Sequence, residues 1–368
     1  MPGKESIRVP STSTRRIFTH SSLADNKVER VSVPDPYRFH GDSEAIGATT
    51  DFAVNVRGTK PPEWLQRVLI DALSDLAQYP SESDTKLAKR AIAQLHDVPE
   101  ESVLLLSGAS EGFTVLPKLA PRHVAIIHPG FTEPNAVFAE AGIDVRNVIV
   151  PPPFELDVVL DLGDSDMVVI GNPTNPTGVL HDRGDLLELG AGRTLVVDEA
   201  FLDVTDESES LTTEAAQRED VIVIRSFTKT WALAGLRCGY LIAHPRVVDK
   251  LAAGRPHWPL GTLQLRSMAA IALAARDETE KERGIIAAER ATMTEALGRA
   301  GFEIVSATQA PYVLVRPPGD DPEALRMKLR DAGIAIRRCD TFPGLDSGYW
   351  RLAVRPANYV AKLLKELA

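Results

Sequence analysis

Between residues 100 and 243 the chain repeats one pattern, a short run of mostly branched apolar residues followed by a stretch with helical spacing. The runs fall at 103–106, 124–127, 145–150, 167–170, 194–197, 221–224 and 240–243. Runs that are apolar at every position suit strands buried on both faces, not strands with one wet face. Parallel neighbours need a crossover, and an intervening helix supplies it, so this alternation predicts an α/β fold with a mainly parallel central sheet between helices. Ligands in such sheets sit outside the carboxyl ends of the strands. The segments that follow the runs are therefore where chemistry is expected.

The flanks have a different texture. The first fifty residues are polar and weakly patterned, and they read as an N-terminal arm. After Pro61-Pro62, Trp64, Val68, Leu69, Ala72, Leu73 and Leu76 fall at helical spacing, and that helix is expected to stop before Tyr79-Pro80. Beyond residue 250 a long charged, Ala-rich helical stretch covers 263–299. Short strands at 302–305, 312–315, 334–337 and 350–354 follow, with helices near 322–331 and 357–367. The expected organisation is an arm at 1–50, a large domain at 51–250 and a smaller α+β domain at 251–368.

Composition removes several functions. The 368 residues allow a large core, and a net charge of -10 lacks the basic field of a nucleic-acid binder. No apolar run spans a bilayer, no basic amphipathic stretch suits a membrane surface, and the N-terminus lacks the apolar core of a signal peptide. Cys238 and Cys339 form no CxxC pair, which fits a reducing cytoplasm. The eight histidines make no HExxH pattern, so no metal is expected, and no G-x-G-x-x-G follows a strand as in a dehydrogenase.

Four segments after strand-like runs carry chemistry. Arg225-Ser226-Phe227-Thr228-Lys229-Thr230-Trp231-Ala232-Leu233-Ala234-Gly235-Leu236-Arg237-Cys238-Gly239-Tyr240 sets a lysine behind a buried strand and a short polar turn, with an arginine further along. An amine placed there can form an imine with an aldehyde cofactor, while hydroxyls and the arginine bind that cofactor's phosphate. Val196-Val197-Asp198-Glu199 ends a strand on an acid that can keep a pyridine nitrogen protonated and make the ring an electron sink. Gly171-Asn172-Pro173-Thr174-Asn175-Pro176-Thr177-Gly178 is a rigid turn from which Asn175 can donate to a ring oxygen. Ser107-Gly108-Ala109-Ser110-Glu111-Gly112 joins a strand to a helix, where free N–H groups attract phosphate.

The order and wording of these motifs resemble the fold-type I class I/II aminotransferases, in the branch that holds histidinol-phosphate aminotransferases and the threonine-phosphate decarboxylases of cobalamin synthesis. The resemblance runs from about residue 51 to the end. It implies pyridoxal 5'-phosphate on Lys229, with Asp198 against the pyridinium nitrogen and Asn175 on the phenolic oxygen. Ser110, the Glu111 backbone N–H, Ser226, Thr228 and Arg237 would form the phosphate cup, and Phe131 would stack on the ring. Tyr79 matches a tyrosine that reaches the neighbouring subunit's phosphate, implying a homodimer. Arg351 and Arg337 match anion-gripping arginines for a substrate, and Asn55 and His40 are assigned to substrate binding with them.

The chain departs from the family at several places. Phe201 stands where many members carry a tyrosine, Asn55-Val56-Arg57-Gly58 replaces Asn-x-Asn-Pro and puts an extra cation near the site, and Pro311-Tyr312 replaces a common Asn-Phe. His40-Gly41, Phe201 and the Phe-Pro-Gly run at 342–344 look more like the decarboxylases. The expected activity is transamination of a phosphorylated amine or amino acid such as histidinol phosphate, with 2-oxoglutarate or glutamate as partner. The alternatives are a threonine-phosphate-type decarboxylase and a non-catalytic regulator or binding module built on the same fold.

Overall fold

The computed structural model describes residue 37 and residues 41–156 and 160–367. In chain order the strands are β1 (Thr50–Asp51), β2 (Val103–Leu106), β3 (His123–His128), β4 (Asp144–Ile149), β5 (Met167–Gly171), β6 (Thr194–Asp198), β7 (Val221–Ser226), β8 (Gly239–Ala243), β9 (Glu303–Ile304), β10 (Tyr312–Arg316), β11 (Ile334–Ala335), β12 (Arg337–Arg338) and β13 (Trp350–Ala353). Strands β2 to β8 form a seven-stranded sheet in the order β2-β8-β7-β6-β5-β3-β4. Pairs β4–β3, β3–β5, β5–β6 and β6–β7 are parallel, and β8 runs antiparallel to both of its neighbours. Every apolar run becomes one of these strands. Alternate residues along β2 enter different cores, Val103 and Leu105 on one face and Leu104 and Leu106 on the other. That double burial is what the unbroken apolar runs encode.

A second sheet, β12-β13-β10-β9, is antiparallel and four-stranded. The run 334–337 splits in two: β11 pairs in parallel with β1, while β12 pairs with β13. Phe52, fully buried, joins the core of this second sheet beside Trp350 and Leu352. The helix Thr262–Arg299 packs on the helices Glu63–Ala72 and Glu82–His96 and also on β9, β10 and the helix Ala357–Leu367, so one rod serves both sheets.

The helix after Pro61-Pro62 differs from the expectation. It ends at Ala72 and tightens into a short 3₁₀ turn over Leu73–Asp75. The changed rise turns Leu73 and Leu76 outward, and only Leu65 and Ala72 are fully buried. Among the described residues no helix is long and apolar enough to cross a membrane.

Candidate active site

The carboxyl ends of β5, β6 and β7 open on one cavity of about 380 Å³. Lys229, Asp198, Asn175, Ser226 and Thr228 line it, and so do Ser110, Phe131 and Arg237. Asn55, Arg337 and Arg351 close it from the side of the second sheet.

Local bonds fix the lysine turn. Ser226 Oγ accepts the Thr228 N–H at 3.1 Å, and Thr228 Oγ1 donates to the Cys238 carbonyl at 3.2 Å. The Lys229 carbonyl accepts the Arg57 N–H at 2.9 Å. Arg237 has a φ of 61°, a left-handed conformation that costs a residue with a side chain roughly 1–3 kcal/mol. Its guanidinium lies so close to Gly108 that an added Cβ there would stand 2.8 Å from Nη2. A Cβ on Gly239 would meet the Gly108 carbonyl carbon and the Ala109 nitrogen at 2.6 Å. Two glycines thus let the 107–109 turn, the start of β8 and Arg237 converge.

Asp198 Oδ1 accepts the Ala200 N–H at 3.1 Å. Burial pushes its carboxyl up to about 7 against that hydrogen bond, and Glu199 adds to the rise while Lys229 opposes it. Behind the strand ends, Glu199 and Arg225 form an ion pair at 2.8 Å, both almost wholly buried. Alternation along the two strands sends Asp198 and Ser226 to the cavity and these neighbours to the other face.

The turn bearing Asn175 is braced by a residue that the sequence did not single out. Asn172 donates to the His181 carbonyl at 3.2 Å and accepts its N–H at 2.8 Å, and the His181 ring meets Thr174 Oγ1 at 3.1 Å. Burial lowers the His181 ring to about 4, so it is neutral at ordinary pH. The Tyr312 hydroxyl donates to the Thr174 carbonyl at 3.2 Å, and its ring packs edge-on against Phe201, centroids 5.1 Å apart. Asn175 Oδ1 accepts from Arg351 Nη1 at 2.9 Å. Because arginine can only donate, this contact sets the amide so that its NH₂ is the free end.

Arg337 and Arg351 stand directly opposite each other on β12 and β13. Like charges facing across a ladder destabilise it unless an anion neutralises them. Arg351 is 5% exposed, and burial together with Arg337 lowers its guanidinium to about 10. Its Nη2 donates to the Ala53 carbonyl, and its Nε has no hydrogen-bond partner among the described residues. Arg337, 3% exposed, donates to the Arg338 carbonyl at 2.7 Å and to Thr341 Oγ1 at 2.8 Å. Asn55 is 6% exposed, and neither of its amide atoms has a partner among the described residues.

Two expectations, those for Glu111 and Arg57, fall differently. The Glu111 N–H does not face the cavity; it donates to the Gly108 carbonyl at 3.2 Å, closing the turn on itself. Arg57 is no free cation, because Glu282 and Glu289 of the long helix hold it at 2.7 Å and 2.9 Å. Tyr79 is 73% exposed and stacks on Trp258 at 4.0 Å, away from the cavity. His40 lies outside the described residues.

A lysine and a carboxyl at the carboxyl ends of a mainly parallel sheet, on one cavity with an arginine pair, make an arrangement that can take an amine carrying an anionic group. Residues 49–367 match the family described as aminotransferase class I and II, and the chain belongs to that family. It is 48% identical over 327 residues to a histidinol-phosphate aminotransferase of Mycobacterium tuberculosis, covering 87% of each chain. It is 32% identical to the threonine-phosphate decarboxylase of Salmonella typhimurium, covering 86% of this chain and 90% of that one. Among solved structures, the histidinol-phosphate aminotransferase of Clostridium acetobutylicum matches with a TM-score of 0.78 and 26% identity, over 86% of this chain and 98% of that one.

Proposed function

We propose that the protein is a pyridoxal-phosphate-dependent aminotransferase for a small phosphorylated amine or amino acid, histidinol phosphate being the first candidate, with 2-oxoglutarate or glutamate as the other partner. The observation that carries this is the arginine pair, Arg337 opposite Arg351, on the same cavity as Lys229 and Asp198. The 48% identity to a histidinol-phosphate aminotransferase supports the same reading.

The residues present fit the cofactor. Asp198, held up to about 7 by burial, would be held as the carboxylate by a ring N–H⁺ set against it. Ser110, Ser226, Thr228 and Arg237 line one end of the cavity, drawn together by the close packing that Gly108 and Gly239 allow, and that set of donors suits one phosphate. The Asn175 NH₂ suits a phenolic oxygen, and Phe131 suits a ring face. Bound there, the cofactor supplies an electron sink for a substrate Cα. Lys229 Nζ is the base that takes the Cα proton and gives it back. Arg351 and Arg337 hold the substrate's anionic end, and Asn55 offers a donor and an acceptor beside them. That grip decides which Cα bond faces Lys229.

A decarboxylase is the second reading, favoured by Phe201 on the cavity wall and by the relative that is 32% identical. A homodimer is part of the proposal: Ile70, Leu73, Leu76, Tyr79 and Trp258 form an exposed apolar face, and Tyr79 there suits a partner's phosphate. The two buried, unpaired cysteines suit a reducing compartment, and we assign the protein to the cytoplasm.

The test is a visible absorption spectrum of the purified protein and of Lys229→Ala, titrated with histidinol phosphate and then threonine phosphate. The expected result is a band that requires Lys229 and is bleached by histidinol phosphate, then restored by 2-oxoglutarate. Carbon dioxide release from threonine phosphate with no need for an oxo acid would replace transamination by decarboxylation. No band in the presence of pyridoxal phosphate would return the chain to a non-catalytic role.

A further inference from the structure

The turn that begins the phosphate cup is held from outside by three side chains, none of which lines the cavity. Glu111 Oε2 accepts the Ser107 N–H at 2.6 Å. Its other oxygen accepts from Arg255 Nε at 3.0 Å and lies 2.8 Å from Nη2. Gln264, in the first turn of the long helix, donates to Ser107 Oγ at 3.2 Å and to the Arg237 carbonyl at 2.9 Å, while its Oε1 accepts the Gly261 N–H at 2.7 Å. One glutamine therefore ties the two walls of the cup together, Ser107 on one side and Arg237 on the other.

A carboxylate near a phosphate site is electrostatically unfavourable, and a neutral residue would serve an anion better. Arg255 offsets that charge. What Glu111 contributes is a charge-assisted acceptor for a single N–H, which fixes the orientation of the turn. The Gly108 N–H is also committed, to the Leu106 carbonyl at 2.9 Å. The N–H groups of Ala109 and Ser110, whose residues line the cavity, are then the donors left for an anion.

We infer that Glu111, Arg255 and Gln264 are positioning residues for the phosphate cup, raising its affinity for the cofactor's phosphate without touching it. This rests on the proposed reading of the cup as a phosphate site. The test uses the full-length protein freed of cofactor, with Glu111→Gln, Arg255→Gln and Gln264→Leu, titrated separately with pyridoxal phosphate and with pyridoxal, which lacks the phosphate. The readout is the Lys229-dependent absorbance, alongside the melting temperature of the cofactor-free protein.

Each variant is expected to weaken pyridoxal phosphate binding by about ten-fold, the scale of one lost hydrogen bond to a charged group, and to leave pyridoxal binding unchanged. Glu111→Gln combined with Arg255→Gln should be no worse than either alone, since both break one tie. Gln264→Leu reports on its own if the charge variants melt too low to assay. Equal weakening of both ligands, or of neither, would overturn the inference while leaving the function standing. A wild-type protein that binds neither ligand would overturn the function and the brace together.

Discussion

Glu199 and Arg225 back the two strand ends that present Asp198 and Ser226, and their pairing predicts an asymmetric response to mutation. Glu199 is 1% exposed and Arg225 is 3% exposed. The carboxylate also accepts the Leu211 N–H at 2.9 Å and the Ser210 hydroxyl at 2.8 Å. Arg225 reaches Glu207 as well, at 2.6 Å, but that carboxylate is 37% exposed and can turn to water. Arg225→Met therefore strands the buried Glu199 and also removes the charge that opposes burial at Asp203, and removing one partner of such a pair costs about 3–5 kcal/mol. For a chain this long 1 kcal/mol lowers the melting temperature by roughly 1–2 °C, so the expected drop is about 3–10 °C. Glu199→Gln added to Arg225→Met removes the stranded charge yet keeps an acceptor for the Leu211 N–H, and should recover at least half of the loss. Scanning calorimetry of the cofactor-free proteins measures this. The deficit of Arg225→Met should also shrink on acidification, because burial already raises Glu199 and protonation lifts the penalty. A double variant that melts no higher than Arg225→Met would refute the reasoning, since the cost would then lie in lost packing.

Two further outcomes follow from the same electrostatics and surface. The folded Asp198 carboxyl is raised to about 7 from the ordinary 3.8, so its contribution to cofactor-free stability is fully present below the ordinary value and is lost as pH rises through 7. Asp198→Asn has no such loss, and its stability advantage in denaturant melts should grow between pH 4 and pH 8 by on the order of 4 kcal/mol; a constant difference contradicts the assignment. Leu73→Asp places a charge on the exposed apolar face and should shift sizing and light scattering from dimer toward monomer, while a wild-type protein that sizes as a monomer removes the subunit contact and the role of Tyr79 with it.

The large sheet was legible because a strand buried on both faces leaves a near-continuous apolar run; such runs gave the inner strands to within a residue or two, while the edge strand β4, mostly exposed, shows as a broken run with Arg146 and Asn147 inside it. The residues lining the cavity were legible where chemistry demands a rare type at a strand end, as at Lys229, Asp198 and Asn175. What escaped was whatever depends on a partner distant in sequence. Arg57 looked like a free cation because Glu282 and Glu289 lie more than two hundred residues away. Leu73 and Leu76 continued a helical apolar spacing, and nothing in the spacing announced the 3₁₀ turn that sends them outward. Glu111 was assigned through its N–H, whereas its side chain makes the longer-range contact, to a residue 144 positions away. His181 gave no signal at all, because a lone histidine in a loop carries no pattern.

On the proposed substrate role, the geometry of Arg351 gives a reason for a second arginine beside it. A lone guanidinium can grip a carboxylate or phosphate with two parallel N–H bonds. Here Nη1 is engaged by Asn175 and Nη2 by the Ala53 carbonyl, so Arg351 already spends donors on the cofactor turn and on the 51–57 strap. Arg355 spends its own on the same strap, donating to the carbonyls of Asp51 at 2.8 Å, Val54 at 2.6 Å and Val56 at 3.2 Å. With its donors divided in this way, Arg351 can orient a substrate anion but cannot neutralise a doubly charged one alone. Arg337 brings a second full charge directly across the ladder, and Asn55 brings an unspent donor from the strap that these arginines hold. Two opposed guanidiniums carry twice the charge of a monoanionic carboxylate and match that of a phosphate dianion. That balance of charge, together with the relatives' identities, is why the phosphorylated substrate stands first.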